Sequence, residues 1–182
     1  MKPKEILVFG ASGQIGRNLI RKLTKNNYKV IAVTRNIHHK GYMLKTQANP
    51  GYLEVIELDS LSEEKIRELF NSCSLCINLI GILYEKNKNQ FHNIHSMLPN
   101  ILSKLAKEKK IEQFIHVSAL GIEDAVDSEY ARSKIDGEIN VRKNFKNSVI
   151  LKPSIVYGVD DNFTTNFMTL LNRLPIMPLY YN

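Results

Sequence analysis

Tyr130 and Lys134 stand four positions apart in "YARSK", a spacing that sets both side chains on one face of a helix. A phenol and an ammonium so placed either run proton chemistry beside a nicotinamide or help hold a nucleotide. A second set of residues points to the nucleotide. In "VFGASGQIGRN", Gly10, Gly13 and Gly16 fall between an apolar run and an amphipathic segment. Glycine there permits a tight turn, lets the backbone approach a pyrophosphate and allows close helix–strand packing. The helix that follows offers free N–H groups and the positive end of its dipole. Heading a strand–helix–strand unit, the three glycines predict a dinucleotide site.

The end of the second apolar run bears on which dinucleotide. A carboxylate there accepts from the ribose hydroxyls of NAD, but "VTRN" offers Thr34, Arg35 and Asn36. A guanidinium suits a 2′-phosphate. NADP(H) is therefore favoured, with NAD(H) as the alternative. Arg17, just past the third glycine, and His38 and His39 in the following basic loop are candidates for lesser help.

These residues need a scaffold, and the apolar patterning supplies one. "EILVFG", "YKVIAVTR", "LEVIELD", "CINLIG", "QFIHVSALG" and "SVILKPSIVYG" read as six strands. Helices are expected in "QIGRNLIRKLTKN", with Ile15, Leu19, Ile20 and Leu23 on one face, in "SEEKIRELFNS" starting from Ser62, over about 94–108, and through "YARSKIDGEINVRK". Continuous Val/Ile/Leu runs mark strands buried on both faces. The fold class is α/β: a doubly wound, Rossmann-like parallel sheet with helices on both faces. "FTTNFMTLLNRL" adds a last amphipathic segment before the apolar "PIMPLYYN".

Composition narrows the function classes. At 182 residues, 43% hydrophobic and 24% charged, the chain resembles an ordinary globular domain. Its net charge of +7 comes from scattered lysines without an arginine stripe or interleaved aromatics, which argues against nucleic-acid binding. The longest apolar run, Leu75 to Tyr84, is about half of what a membrane span needs. The N-terminus runs directly into a strand, so no signal peptide is expected. Cytoplasmic localisation follows, with peripheral association at the inner face of a membrane through a complex as the variant. Cys73 and Cys76 form a C-x-x-C that opens a strand instead of a helix, so Cys76 is expected in the core. His92 and His95 are too closely spaced to complete a zinc finger with them, and no metal is expected. His116 reads as a packed histidine.

"GASGQIG", Asp59 after the third strand, "NLIG", "YARSK" and "KPSIVYG" together resemble the short-chain dehydrogenase/reductase superfamily, in its extended and atypical (NAD-dependent epimerase/dehydratase-like) branches. "INLIGILYE", "HVSALG" and "KPSIVYGVDDNF" are similar to the nucleotide-binding accessory subunit of respiratory complex I and its bacterial relatives. The resemblance spans nearly the whole chain. It implies Gly10, Ser12, Gly13, Gln14, Ile15 and Gly16 at the pyrophosphate, Arg35 at the adenosine ribose phosphate and Asp59 at the adenine edge. Leu79, Ile80 and Gly81 would pass along the cofactor, Lys134 would bond the nicotinamide ribose, and Pro153 and Ile155 would flank the nicotinamide.

In active members the fifth strand ends in a serine or threonine that binds the substrate oxygen. Here Ser118 falls one position early and Ala119 takes that place, which leaves Ser118 structural, at a phosphate, or, as the lesser alternative, substituting for the missing hydroxyl. If catalysis occurs, Tyr130 is the acid or base, and the neighbouring Lys134 ammonium together with a cationic nicotinamide is expected to lower its pKa. The family also continues into a C-terminal substrate domain. The expected organisation is thus an NAD(P)-binding domain over 1–158 and the start of a truncated substrate region over 159–182. The leading expectation is an accessory NADP(H)-binding protein with little or no turnover, partnered by the dinucleotide and by complex I subunits. A reductase, epimerase or dehydratase using Tyr130 and Lys134 is one alternative, and a non-functional remnant the other.

Overall fold

The computed structural model describes residues 5–58, 60–158 and 161–174. Six strands, β1 (Glu5–Phe9), β2 (Lys29–Thr34), β3 (Leu53–Glu57), β4 (Cys73–Asn78), β5 (Gln113–Val117) and β6 (Val149–Leu151), build the sheet. They lie in the order β3-β2-β1-β4-β5-β6, and every pairing is parallel. The chain leaves β1 toward one edge and returns beside it as β4, so the C-terminal ends of β1 and β4 flank the switch point where doubly wound sheets bind ligands.

Burial explains why the central strands read as unbroken apolar runs. Ile6 through Phe9 are at most 5% exposed, because each face of the sheet carries its own core. Leu7, Phe9 and Cys76 pack with residues of α3 (Glu63–Leu69), α4 (Leu98–Glu108) and α5 (Glu129–Asn144). Ile6, Val8 and Ile77 pack against Ile20 of α1 (Gln14–Lys25) and Leu44 of α2 (Tyr42–Lys45). Cys76 thus sits in the core as its strand position implied. Burial also pushes the Cys73 thiol up to about 12 and the Cys76 thiol well above its ordinary value, which suits inert thiols and not a redox pair.

Several local expectations need correction. The fifth and sixth strands stop at Val117 and Leu151, short of "SALG" and of the run to Gly158. The ladder nonetheless continues loosely, since Ser118 donates to the Leu151 carbonyl and Leu120 to that of Pro153. Ile15 is 37% exposed and does not share the buried stripe of Ile20. The basic loop expected around His38 and His39 is instead a π-helical turn, Ile37–Gly41, leading into α2; the Asn36 side chain accepts the His39 N–H at 2.9 Å to start it. Another π-helical turn, His92–Met97, precedes α4. The final helix, α6 (Asn162–Arg173), is capped by Asp161, which accepts from Thr164, and it leaves Phe167, Met168, Leu170 and Leu171 exposed. Among the described residues no helix is long and apolar enough to cross a membrane.

Candidate dinucleotide site

The turn between β1 and α1 is built by its glycines. Gly10 has φ +78°, and a Cβ there would meet the Leu79 carbonyl carbon at 2.9 Å. A Cβ on Gly16 would lie 2.5 Å from the carbonyl oxygens of Gly10 and Ala11. The loop is thereby pressed against the end of β4 and α1 against the end of β1. No side chain caps α1 at Gly13. The first-turn amides of Gln14, Ile15 and Gly16 therefore have no intrahelical acceptor, an arrangement that favours an anion.

A cleft of about 210 Å³ opens from this turn across the ends of β1, β2 and β4. Gly10, Ser12 and Gly13 line one wall, Leu79, Ile80 and Gly81 another, and Arg35 and Lys40 sit beyond β2. Neither cation has an ion-pair partner among the described residues. Lys40 was not singled out in the sequence; the π-helical turn brings it to the cleft. Gln14 and Ile15 instead line a surface groove with Val156, Tyr157 and Gly158, so only their main chain is turned to an anion at the helix start. Arg17 reaches Met43, its Nη1 lying 3.6 Å from Sδ. His38 and His39 are exposed and do not line the cleft. Asp59 lies outside the described residues.

Lys134 is 4% exposed, and its ammonium donates to the Val117 carbonyl at 3.3 Å. Nζ also lies 3.3 Å from where a Cβ on Gly81 would be, so that glycine leaves the ammonium open to the cleft wall. Burial lowers the Lys134 pKa to about 8, partly offset by Glu138. Tyr130 is half-buried, edge-on to Phe91 at 5.7 Å and to His95 at 5.3 Å. Burial raises its phenol. In the chain by itself desolvation prevails over an ammonium 6.0 Å from the ring centre, whereas the expected lowering involves the cationic nicotinamide as well.

Beneath this pair lies a polar layer that sequence reasoning missed. Asn78, fully buried, accepts the Ile80 N–H at 3.1 Å through Oδ1 and donates through Nδ2 to Nδ1 of His116 at 3.2 Å. His116 is buried as anticipated, with Nε2 unpartnered; the buried hydroxyl of Ser118 is unpartnered as well. Spaced two apart on an extended chain, the two residues face the same side, toward α5. Ala119 offers no hydroxyl. Pro153 meets Leu120 through its carbonyl, and Ile155 is 60% exposed; neither lines the cleft. Asn78 alone left a sequence signal, a polar residue closing an apolar strand.

A parallel sheet in this order, a glycine turn pressed onto β4 at the switch point, and a buried lysine one turn beyond a tyrosine define a NAD(P)-binding Rossmann domain of the short-chain dehydrogenase/reductase type. Residues 10–154 match the NAD(P)H-binding family, and the chain belongs to it. It is 32% identical over 160 residues to NADH dehydrogenase (ubiquinone) 1 alpha subcomplex subunit 9, mitochondrial, of Mus musculus, which covers 88% of this chain and 42% of that protein. It is 24% identical over 174 residues to a ceramide reductase of Caulobacter vibrioides, covering 96% and 53%. Among solved structures it resembles UDP-glucuronic acid 4-epimerase from Bacillus cereus in complex with NAD, at TM-score 0.70 and 25% identity, covering 85% of this chain and 57% of that one. The chain thus spans about half the length of these curated relatives.

Proposed function

We propose that the chain binds NADP(H) in an accessory role with little or no turnover, alongside subunits of a respiratory NADH dehydrogenase. One observation carries the reading: β5 runs on into Ser118 and Ala119, so no hydroxyl stands where active members carry the serine or threonine that binds the substrate oxygen, while Lys134 is buried beside Gly81 and the glycine turn is pressed onto β4. The missing donor is worth roughly a few kcal/mol of transition-state stabilisation. The likeness to the mouse mitochondrial subunit supports the partner.

In this reading the turn from Gly10 to Gly16, with Ser12, holds the pyrophosphate, Arg35 the 2′-phosphate and Asp59 the adenine edge. Leu79, Ile80 and Gly81 run along the cofactor and Lys134 bonds the nicotinamide ribose. Pro153 and Ile155 border the nicotinamide, Ser118 touches a phosphate or supports the strand end, and residues 1–158 form the binding domain with a second region beginning at 159. The bound cofactor would supply hydride chemistry; the chain's own groups bind and orient it. The lowered Lys134 pKa and the likeness to a ceramide reductase favour a reductase as the second reading. Calorimetric titration with NADPH, followed by NADPH absorbance over a panel of carbonyl compounds, separates the two. Stoichiometric binding with flat absorbance is expected; sustained oxidation abolished by Tyr130→Phe would establish the reductase, and no binding would end both.

A further inference from the structure

We infer that His95 is a positioning residue that holds the Gly81–Ile82 wall of the cleft in register with the helix carrying Tyr130 and Lys134. The ring is 1% exposed and bonded at both nitrogens. Nε2 accepts the Ile82 N–H at 3.1 Å, which leaves Nδ1 as the protonated nitrogen. Nδ1 donates to Ser133 Oγ at 3.0 Å, and that hydroxyl donates to the Tyr130 carbonyl at 2.7 Å. A single chain of bonds thus runs from the cleft wall through the imidazole into α5. The ring plane is fixed as well, stacked on Phe91 at 5.4 Å with Tyr130 edge-on.

The main chain reinforces the placement. A Cβ on Gly137 would lie 1.9 Å from the His95 carbonyl oxygen, so the π-helical turn is seated directly on α5. On the other side, a Cβ on Gly81 would have Lys134 Nζ at 3.3 Å and His95 Nε2 at 3.8 Å as neighbours. His95 therefore sets the distance between that wall and the lysine. In the binding reading above, on which this inference rests for its ligand, this is the nicotinamide half; the adenosine half, at Arg35 and Lys40, lies apart from the imidazole.

The test compares His95→Phe, which keeps a flat ring but leaves the buried Ile82 N–H without an acceptor, with His95→Gln, which retains one. In the ligand-free protein, Ile82 amide exchange is expected to accelerate about tenfold or more in His95→Phe and to stay near the parent in His95→Gln. With ligand, His95→Phe is expected to weaken NADPH about tenfold while 2′,5′-ADP, the adenosine half alone, changes less than about twofold. Unchanged Ile82 exchange, or equal loss of both ligands, overturns the inference. If His95→Phe does not fold, Ser133→Ala replaces it: faster Ile82 exchange is expected and unchanged exchange is again fatal. A parent that binds no NADPH ends the binding reading, while the exchange measurement still decides the role of His95.

Discussion

The Lys134 ammonium lies 6.0 Å from the centre of the Tyr130 ring and donates instead to the Val117 carbonyl at 3.3 Å. The pair thus shares a helix face while the ammonium is bonded to the main chain of β5. Lysine is bound to the end of β5 behind Gly81, whereas tyrosine packs against Phe91 and His95. The two residues accordingly separate in mutagenesis. In the binding reading proposed above, Lys134→Met removes a charge-assisted bond to the ribose and is expected to weaken dinucleotide binding about tenfold or more. Tyr130→Phe keeps the packing and should stay within about threefold of the parent. Fluorescence titration checks both, and equal losses would make the tyrosine a ligand-binding group.

At the other end of the cleft, Arg35 and Lys40 are exposed cations lining the same wall. A 2′-phosphate would engage both; NADH lacks it. Arg35→Asp is expected to raise the Kd for NADPH by about tenfold or more and to leave NADH nearly unchanged, with Lys40→Ala acting in the same direction by less. Increasing salt should shrink the parent's preference. An Arg35→Asp variant that binds NADPH as the parent does would remove the basis for NADP(H) over NAD(H).

Much of this scaffold was legible in the sequence, for identifiable reasons. Ile6–Phe9 and Val30–Val33 are buried on both faces of a parallel sheet, so their runs are uninterrupted, and the glycine spacing follows from one turn pressed between α1 and the end of β4. Lys40 was not legible, because residues 37–45 form a helical segment that rests on an Asn36 cap and one buried leucine. His95 was not legible either. Its partners lie 13 and 38 residues away, and no local pattern announces such a bond. The direction of the Tyr130 shift depends on how deeply Phe91 and His95 bury the ring, a property of packing alone.

Glycine substitutions distinguish packing from backbone strain. Gly137 sits within α5, where alanine would ordinarily stabilise, yet its Cβ would strike the His95 carbonyl at 1.9 Å. Gly137→Ala is expected to cost about 3 kcal/mol or more through displacement of the π-helical turn. Gly51 has φ +83° but open space around it, so Gly51→Ala should cost only about 1–2 kcal/mol. Urea unfolding of the two variants checks the order; a Gly137→Ala as mild as Gly51→Ala would mean that α5 and the turn are not tightly seated.

Acid sensitivity follows from the two buried histidines. Burial, with Lys134 nearby, lowers both His95 and His116 to about 3 from an ordinary 6.5. In the folded chain both rings stay neutral down to that pH, whereas in the unfolded chain they take up protons as the pH drops through 6.5. The unfolded state then binds up to two more protons, so stability falls as the pH is lowered from about 6.5 toward 3. Lys134, at about 8, is already charged throughout that window. Near pH 5, above most carboxylate titration, the slope should approach at most about 2.7 kcal/mol per pH unit from the two rings together. Urea midpoints between about pH 7 and 5 measure it. His95→Gln should remove roughly half of the slope, and a slope unchanged by that substitution would show that His95 does not stay neutral in the folded protein.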